Sequence, residues 1–323
     1  MKTLRLAWPI LLLLALGALP AQGASPPGSL TAHFINVGQG DSIWVRLPSG
    51  EDLLIDGGKP AAGPTVVAYL RGQGVSDIDL LVATHGDSDH IGGLLDVLEA
   101  LPVGAAWLDS QDCDTQTCTA FYEALAAHGV NTSLVRRGEA QAWGAVTALV
   151  LNPSDPLYAD KNNNSVVVRL SYGTVDVLLT GDAETGAEGR MRASGLPLEA
   201  EILKAGHHGS NSSSSAAFLQ AVSPREAIIS VGPNSYGHPN PTAMQRMASA
   251  GANIWRTDEL GTIIVNTDGL TWTVRGELTP EATATPTRTP TASPTATPSL
   301  TPSPTSTTMP LRLHILLPVV MRE

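Results

Sequence analysis

The chain has 323 residues and 42% hydrophobic content, enough apolar mass for the core of one large domain or two small ones. Its formal net charge is −11; setting aside Lys2 and Arg5, and beyond Thr279 the three arginines Arg288, Arg312 and Arg322 against Glu281 and Glu323, leaves a folded part near −14. Such acidity argues against a broad surface that tracks nucleic-acid phosphates, because that mode depends on cation contacts and counterion release, so an anionic substrate has to be gripped locally.

At the N-terminus Met1, Lys2 and Arg5 precede an apolar run from Ile10 to Leu19, and "PAQGAS" follows with small residues suited to a signal peptidase. Residues 1–24 therefore read as a secretory signal peptide. The alternative, a membrane anchor, is weaker because the run is shorter than the ~20 apolar residues of a spanning helix. No other segment has the length and apolarity to cross a bilayer, and a secreted or cell-surface location is expected.

From Leu30 to 278 short apolar runs alternate with helical patterns. Strands are expected at "HFINV", "SIWVRL", "DLLID", "LLVAT", "VTALVL", "SVVVRL", "VDVLLT", "AEILKA", "AIISV" and "TIIVN". Helices are expected near Pro64–Gln73, Gly92–Ala100, Thr119–His128, Ala183–Ala193, Ser214–Ala221 and Thr242–Ala250, several behind Ser, Thr or Asp caps. These are too many strands for one small parallel sheet. Two central sheets with helices on both outer faces, a four-layer αββα sandwich of the α/β class, bury them all. Trp107 and Trp143 read as core or rim packing. Cys113 and Cys118, the only cysteines, stand in "DCDTQTCT" with four residues between them. In an oxidising compartment they suit a small-loop disulfide contributing about 2 kcal/mol at most, whereas two thiolates alone make a poor zinc cage.

The stretch "VATHGDSDHIGGL" places His85, Asp87, Asp89 and His90 within six positions directly after an apolar strand, and Gly92 and Gly93 let the chain turn tightly into a helix. Imidazole nitrogen and carboxylate oxygen are ligand types for divalent metals, and close spacing lets one loop serve two ions. Three later strands end the same way: "VDVLLTGDAE" in Asp182, "AEILKAGHHGS" in His207 and His208, and "AIISVGPNSYGHPNP" at His238. Five of the eight histidines occupy such strand ends. A buried histidine satisfied by backbone is the ordinary explanation for any one of them, but a poor one for the group.

Past Thr279 the chain becomes a Thr/Pro/Ser repeat to about Pro310, expected as an extended, disordered linker of roughly 3 Å per residue. The apolar "LRLHILLPVVMRE" at 311–323 is too short to span a membrane. It reads as a docking or surface-sorting tail, or as a disordered end.

The ordered set "INVGQGDS", "LLIDGG", "THGDSDHIGG", "NNNSVVVRL", "LLTGD", "LKAGHHGS" and "YGHPNP" resembles the metallo-β-lactamase superfamily, and within it the soluble hydrolase domain of ComEC-type competence proteins. The resemblance covers about Ala32 to Gly269. It implies two divalent metal ions, zinc or manganese: one held by His85 and Asp87, a second by Asp89, His90 and a histidine of the "HHG" pair, with Asp182 bridging. His208 is favoured over His207 because the superfamily's ligand usually stands directly before glycine; His207 is then left to orient a ligand or to contact substrate. Asp56 matches a buried carboxylate that supports the ligand loop through hydrogen bonds.

Two departures from the family pattern matter. Many members carry histidine at the position of Asp87 and another where "NNNS" stands, so the first site gains oxygen ligands and tilts from zinc toward manganese, or weakens. Asn36 replaces a frequent aspartate and receives no role. The resemblance implies that the metal pair lowers the pKa of a shared water and polarises the scissile group. Asp89 then holds the nucleophile, and His238 protonates the leaving group or steadies the oxyanion. Asn164, Lys204, Ser210 and Tyr236 are candidates for gripping substrate, although a surface charge explains Lys204 equally well.

The function expected is a secreted phosphodiesterase or nuclease acting on a phosphodiester or another small molecule, with extracellular nucleic acid among its possible partners. Hydrolysis of a small ester, lactone or β-lactam is the alternative, since fold alone does not fix substrate. A non-catalytic surface binding module predicts missing ligands, yet only the "NNNS" histidine lacks a usable substitute.

Overall fold

The computed structural model describes residues 28–109, 113–278 and 283–284. The expected leader and C-terminal tail, and all of the linker but Thr283–Ala284, lie outside the described residues. Among the described residues no helix is long and apolar enough to cross a membrane.

Two sheets stand at the centre. The first, of nine strands, runs in the order Thr283–Ala284, Trp272–Gly276, Ile263–Thr267, Leu30–Phe34, Ile43–Arg46, Asp52–Ile55, Ile78–Val82, Val103–Leu108, Asn131–Leu134. The second, of seven, runs Asn253–Arg256, Glu226–Ile229, Ile202–Lys204, Val175–Leu179, Val167–Tyr172, Val146–Asn152, Ala140–Trp143. Each sheet joins antiparallel hairpins to four parallel strands. In the first, parallel pairing begins at Asp52–Ile55, in the second at Val175–Leu179.

Helices make the parallel crossovers. Gly63–Gly72, Leu94–Ala100 and Gln116–Ala127 serve the first sheet; Thr185–Ala193, Ala216–Val222 and Pro241–Ser249 serve the second. Alternation along the strands places the layers: Leu53, Ile55, Leu80 and Val82 enter the core between the sheets, while Leu54 and Leu81 face the helices of the first sheet. In the second sheet Val177 and Leu179 point into the same central core and Leu178 into the outer helical layer. The result is the four-layer sandwich expected. Trp107 lies in the central core and Trp143 packs against it.

Six strands do not stand out in the sequence, among them the two-residue edge Thr283–Ala284, which pairs with Trp272–Gly276 inside the stretch expected as a disordered linker. Asn131–Leu134 is exposed at all four positions and Ala140–Trp143 nearly so, so neither carries an apolar signature; both are sheet edges. Asn253–Arg256 is also an edge, and Val103–Leu108 and Trp272–Gly276 bury only alternate or terminal positions. The helix expected from Thr119 begins earlier, at Gln116, because the Thr115 hydroxyl caps it by accepting from the Cys118 amide at 3.2 Å. The helix expected from Gly92 begins at Leu94 and runs to Ala100, and a separate short helical turn, Ser88–Ile91, precedes it.

Candidate metal centre

In parallel sheets the C-terminal strand ends share one side, and functional loops collect there. Asp56 follows Asp52–Ile55, His85 follows Ile78–Val82, Asp182 follows Val175–Leu179, and His207 and His208 follow Ile202–Lys204. Each strand is mostly buried, so its end is fixed before the functional polar residues begin.

Asp56 organises the ligand loop. It is fully buried, and its carboxylate accepts from the Thr84 amide at 2.8 Å, the Thr84 hydroxyl at 2.7 Å and His90 Nδ1 at 2.7 Å. Occupying Nδ1 leaves His90 Nε2 to face Asp182 Oδ2 at 3.3 Å. His208 is oriented in the same manner: Nδ1 donates to the Ser230 carbonyl at 2.9 Å, and Nε2 lies 3.5 Å from Asp182 Oδ2 and 3.8 Å from Asp89 Oδ2. His85 Nδ1 sits 3.1 Å from the Thr84 hydroxyl, and its Nε2 lies 3.6 Å from Asp87 Oδ2.

The Nε2 atoms of His85, His90 and His208, and Oδ1 of Asp182, are all buried without a hydrogen-bond partner. Orphaned buried polar atoms are costly, about 1–3 kcal/mol each. Four of them in overlapping clusters that share His90 and Asp182 fit bound cations. Ligand-type atoms of His85, His90 and Asp182 lie within 4.8 Å of one another, as do those of Asp89, His90 and His208, and of Asp41, Asp182 and His208. The electrostatics agree. Burial opposes a charged His90, yet the carboxylates of Asp182 and Asp56 raise its pKa well above the ordinary value; burial likewise works against Asp182, but His208 and His90 hold it well below. The centre demands positive charge.

Around this nucleus the other expected residues separate. Asp87 lies at the rim, its pKa lowered by the His85 hydrogen bond, against burial, and then by Lys161, whose ammonium is 2.9 Å from Oδ1. His207 lies 3.7 Å from Asp182 Oδ2, but its Nδ1 pairs with Glu184 at 3.0 Å. Of the two histidines of the "HHG" motif, only His208 enters a ligand cluster. Both take the left-handed backbone, φ 47° and 52°, as does Asp56 at 59°. His238 stands behind them, its ring 5.3 Å from that of His207, on a loop fixed by Asn234 bonding to both its amide and its carbonyl.

The proposed substrate contacts fare unevenly. Lys204 is neither a substrate grip nor a surface charge: it is fully buried, with Nζ 2.9 Å from Asp41 Oδ2 and bonded to the Ala205 carbonyl. Asn164 is buried too, and its amide is spent on the Tyr158 amide and carbonyl, which hold its own loop. The Ser210 hydroxyl pairs with that of Ser212 at 2.8 Å. Tyr236 is 71% exposed, its ring 5.8 Å from His238, and remains open to a substrate. The disulfide Cys113–Cys118 is formed, and Cys118 packs beside the ligand loop at Gly86.

Sequence reasoning missed several supports. Asp41 lies under the centre, 3.5 Å from His208 Nδ1; burial would raise its pKa, but Lys204 more than reverses this. The Ser165 hydroxyl accepts from the Asp182 amide at 3.1 Å, and Glu184 holds His207. Asp41 and Ser165 stand inside "GQGD" and "NNNS", so the signal was there without a partner to interpret it.

Residues 35–232 match the family model of the metallo-beta-lactamase superfamily. The chain is 31% identical over 248 residues to ComE operon protein 3 of Bacillus subtilis, covering 71% of this chain and 32% of that protein. It is 34% identical over 259 residues to competence protein ComA of Neisseria gonorrhoeae, covering 79% of this chain and 35% of that one. It therefore spans about a third of the length of these relatives. Among solved structures, CmlA, a diiron beta-hydroxylase from Streptomyces venezuelae, superposes with a TM-score of 0.50 at 13% identity, over 76% of this chain and 55% of that one, a likeness of fold alone.

Proposed function

The chain belongs to the metallo-beta-lactamase superfamily, whose fold is generally metal-dependent and hydrolytic, and we propose that it is a dinuclear phosphodiesterase exported from the cell. The observation that carries this reading is the set of buried, unpartnered Nε2 atoms of His85, His90 and His208 around Asp182. His85 with Asp87 on one side, and His90, His208 and Asp89 on the other, would hold two ions, with Asp182 within reach of His85 and of His208. A divalent metal pair supplies Lewis acidity there, lowering the pKa of water toward neutrality and drawing charge from the scissile oxygen.

The chain's own residues do the remainder. Asp89, less buried than the histidines beside it, holds the attacking water by accepting a hydrogen bond from it. Asp56 fixes the ring of His90, and Glu184 fixes that of His207. His238 is positioned to donate to the leaving group or to the developing oxyanion, since its loop is tied and Nδ1 has no protein partner. Beside it a cavity of about 420 Å³, lined by Asn36, Gly232, Pro233, Asn234, His238 and Asp258, offers space for the substrate's body. Its neutral and acidic lining, with the net charge of −11, favours small phosphodiesters or strand ends over long duplexes. Export is supported by the leader-like N-terminus and the disulfide.

Metal-reconstituted protein assayed on bis-p-nitrophenyl phosphate, single-stranded DNA and nitrocefin tests the proposal, with Asp182→Ala as control. Phosphodiester turnover that falls at least about 100-fold in the variant is expected. Turnover of nitrocefin alone points instead to the small ester, lactone or β-lactam class.

A further inference from the structure

Asp87 is the ligand-type residue of the "THGDSDH" loop that joins no cluster of three ligand atoms within 4.8 Å among the described residues. The reason lies in what its two oxygens face. Oδ2 looks toward His85 Nε2 at 3.6 Å, but Oδ1 is held by the Lys161 ammonium at 2.9 Å. That ammonium also reaches Asp114 Oδ1 at 3.0 Å. Lys161 is itself anchored from both sides. It precedes the turn Asn162–Asn164, where Asn163 accepts from the Ala187 amide, Asn164 holds Tyr158, and the following Ser165 accepts from the Asp182 amide. Asp114 belongs to the loop closed by Cys113–Cys118, and a Cβ added at Gly86, between His85 and Asp87, would touch Cys118 Sγ at 3.4 Å.

We propose that Lys161 is a positioning residue that draws Asp87 to the rim and makes the His85 position the weaker of two cation sites, so the centre fills on the His90 and His208 side first. This rests on the metal-centre reading above. An ammonium in hydrogen-bond contact with a carboxylate competes for the charge that a metal ion needs, and it repels a dication a few ångströms away. On the opposite side the ammonium of Lys204 is held by Asp41 on the Nδ1 side of His208, away from the Nε2 that faces Asp182 and Asp89, so it does not draw Asp89 out of place.

Manganese titration of the chelator-treated full chain, followed by calorimetry, tests this without reference to activity. Two separable binding steps are expected. In Lys161→Gln the weaker step tightens by about tenfold, the order of effect of removing one charge at such a distance, while the tighter step stays within about twofold. Lys161→Arg keeps the cation and the wild-type spacing of the steps. Asp114→Asn, a solvent-facing change that does not threaten folding, removes one competing carboxylate from Lys161, strengthens its hold on Asp87 and widens the gap between the steps. Indistinguishable steps in the wild type, or a Lys161→Gln variant whose weaker step is unchanged or looser, overturn the proposal while leaving the metal centre intact. No uptake at either step sinks the metal centre and this assignment together.

Discussion

A lysine with no exposed surface, four residues before His208, invites a catalytic reading, but the partners of Lys204 argue otherwise. Its charge is spent on Asp41, itself almost fully buried, and that pair sits beneath His208. Removing one partner of a buried ion pair strands the other charge at about 3–5 kcal/mol, whereas replacing both is far milder. Lys204→Met should therefore destabilise the protein by about 3–5 kcal/mol in urea unfolding, and adding Asp41→Asn should restore more than half of the loss. A lysine that gripped substrate would show the reverse pattern, with stability unmoved and the Michaelis constant raised. The sequence presents Lys204 only as a polar residue at a strand end. Its burial follows from the pairing of Ile202–Lys204 between two parallel neighbours, a long-range fact that no local pattern carries.

At the scale of elements, the glycines after His90 provide clearance rather than unusual backbone angles. A Cβ at Gly93, whose φ is −76°, would stand 2.0 Å from the Gly57 carbonyl, and one at Gly57 would stand 2.7 Å from the Leu94 amide. The ligand loop and the Asp56 loop thus meet backbone to backbone, and the Gly57 amide donates to the His90 carbonyl at 2.7 Å. This contact brings Asp56 within reach of His90 Nδ1. Gly93→Ala should cost about 3 kcal/mol, at the upper end of overpacking penalties, and the same sample should bind metal more weakly because the Asp56–His90 bond is levered open. Thermal unfolding and a metal titration of the variant check both effects. The buried parallel strands were legible as apolar runs because both of their faces are covered. The edges Asn131–Leu134 and Ala140–Trp143 were not, since a strand that buries almost nothing leaves no hydrophobic period to read.

For the whole molecule the decisive fact is that the centre draws on both sheets. His85, Asp87, Asp89 and His90 follow a strand of the nine-stranded sheet; Asp182 and His208 follow strands of the seven-stranded one. The sequence showed these groups at strand ends, and the family resemblance implied that they meet. Spacing alone could not say so, since Asp182 is nearly a hundred residues from His85. Cations bound at this centre would therefore stitch together two layers otherwise joined by the apolar core between them, and would link folding stability to metal. An ion at 100 times its dissociation constant contributes about 2.7 kcal/mol, and in a domain of this size each kcal/mol moves the midpoint by about 2–4 °C. Chelation should thus lower Tm by about 5–10 °C in the wild type. In Asp182→Ala, which removes the carboxylate common to the His85 and His208 clusters, Tm should scarcely respond to chelator. A wild-type midpoint indifferent to chelator would mean that the sheets are held by their apolar core alone, and that the unpartnered histidine nitrogens are tolerated at a cost the fold meets by other means.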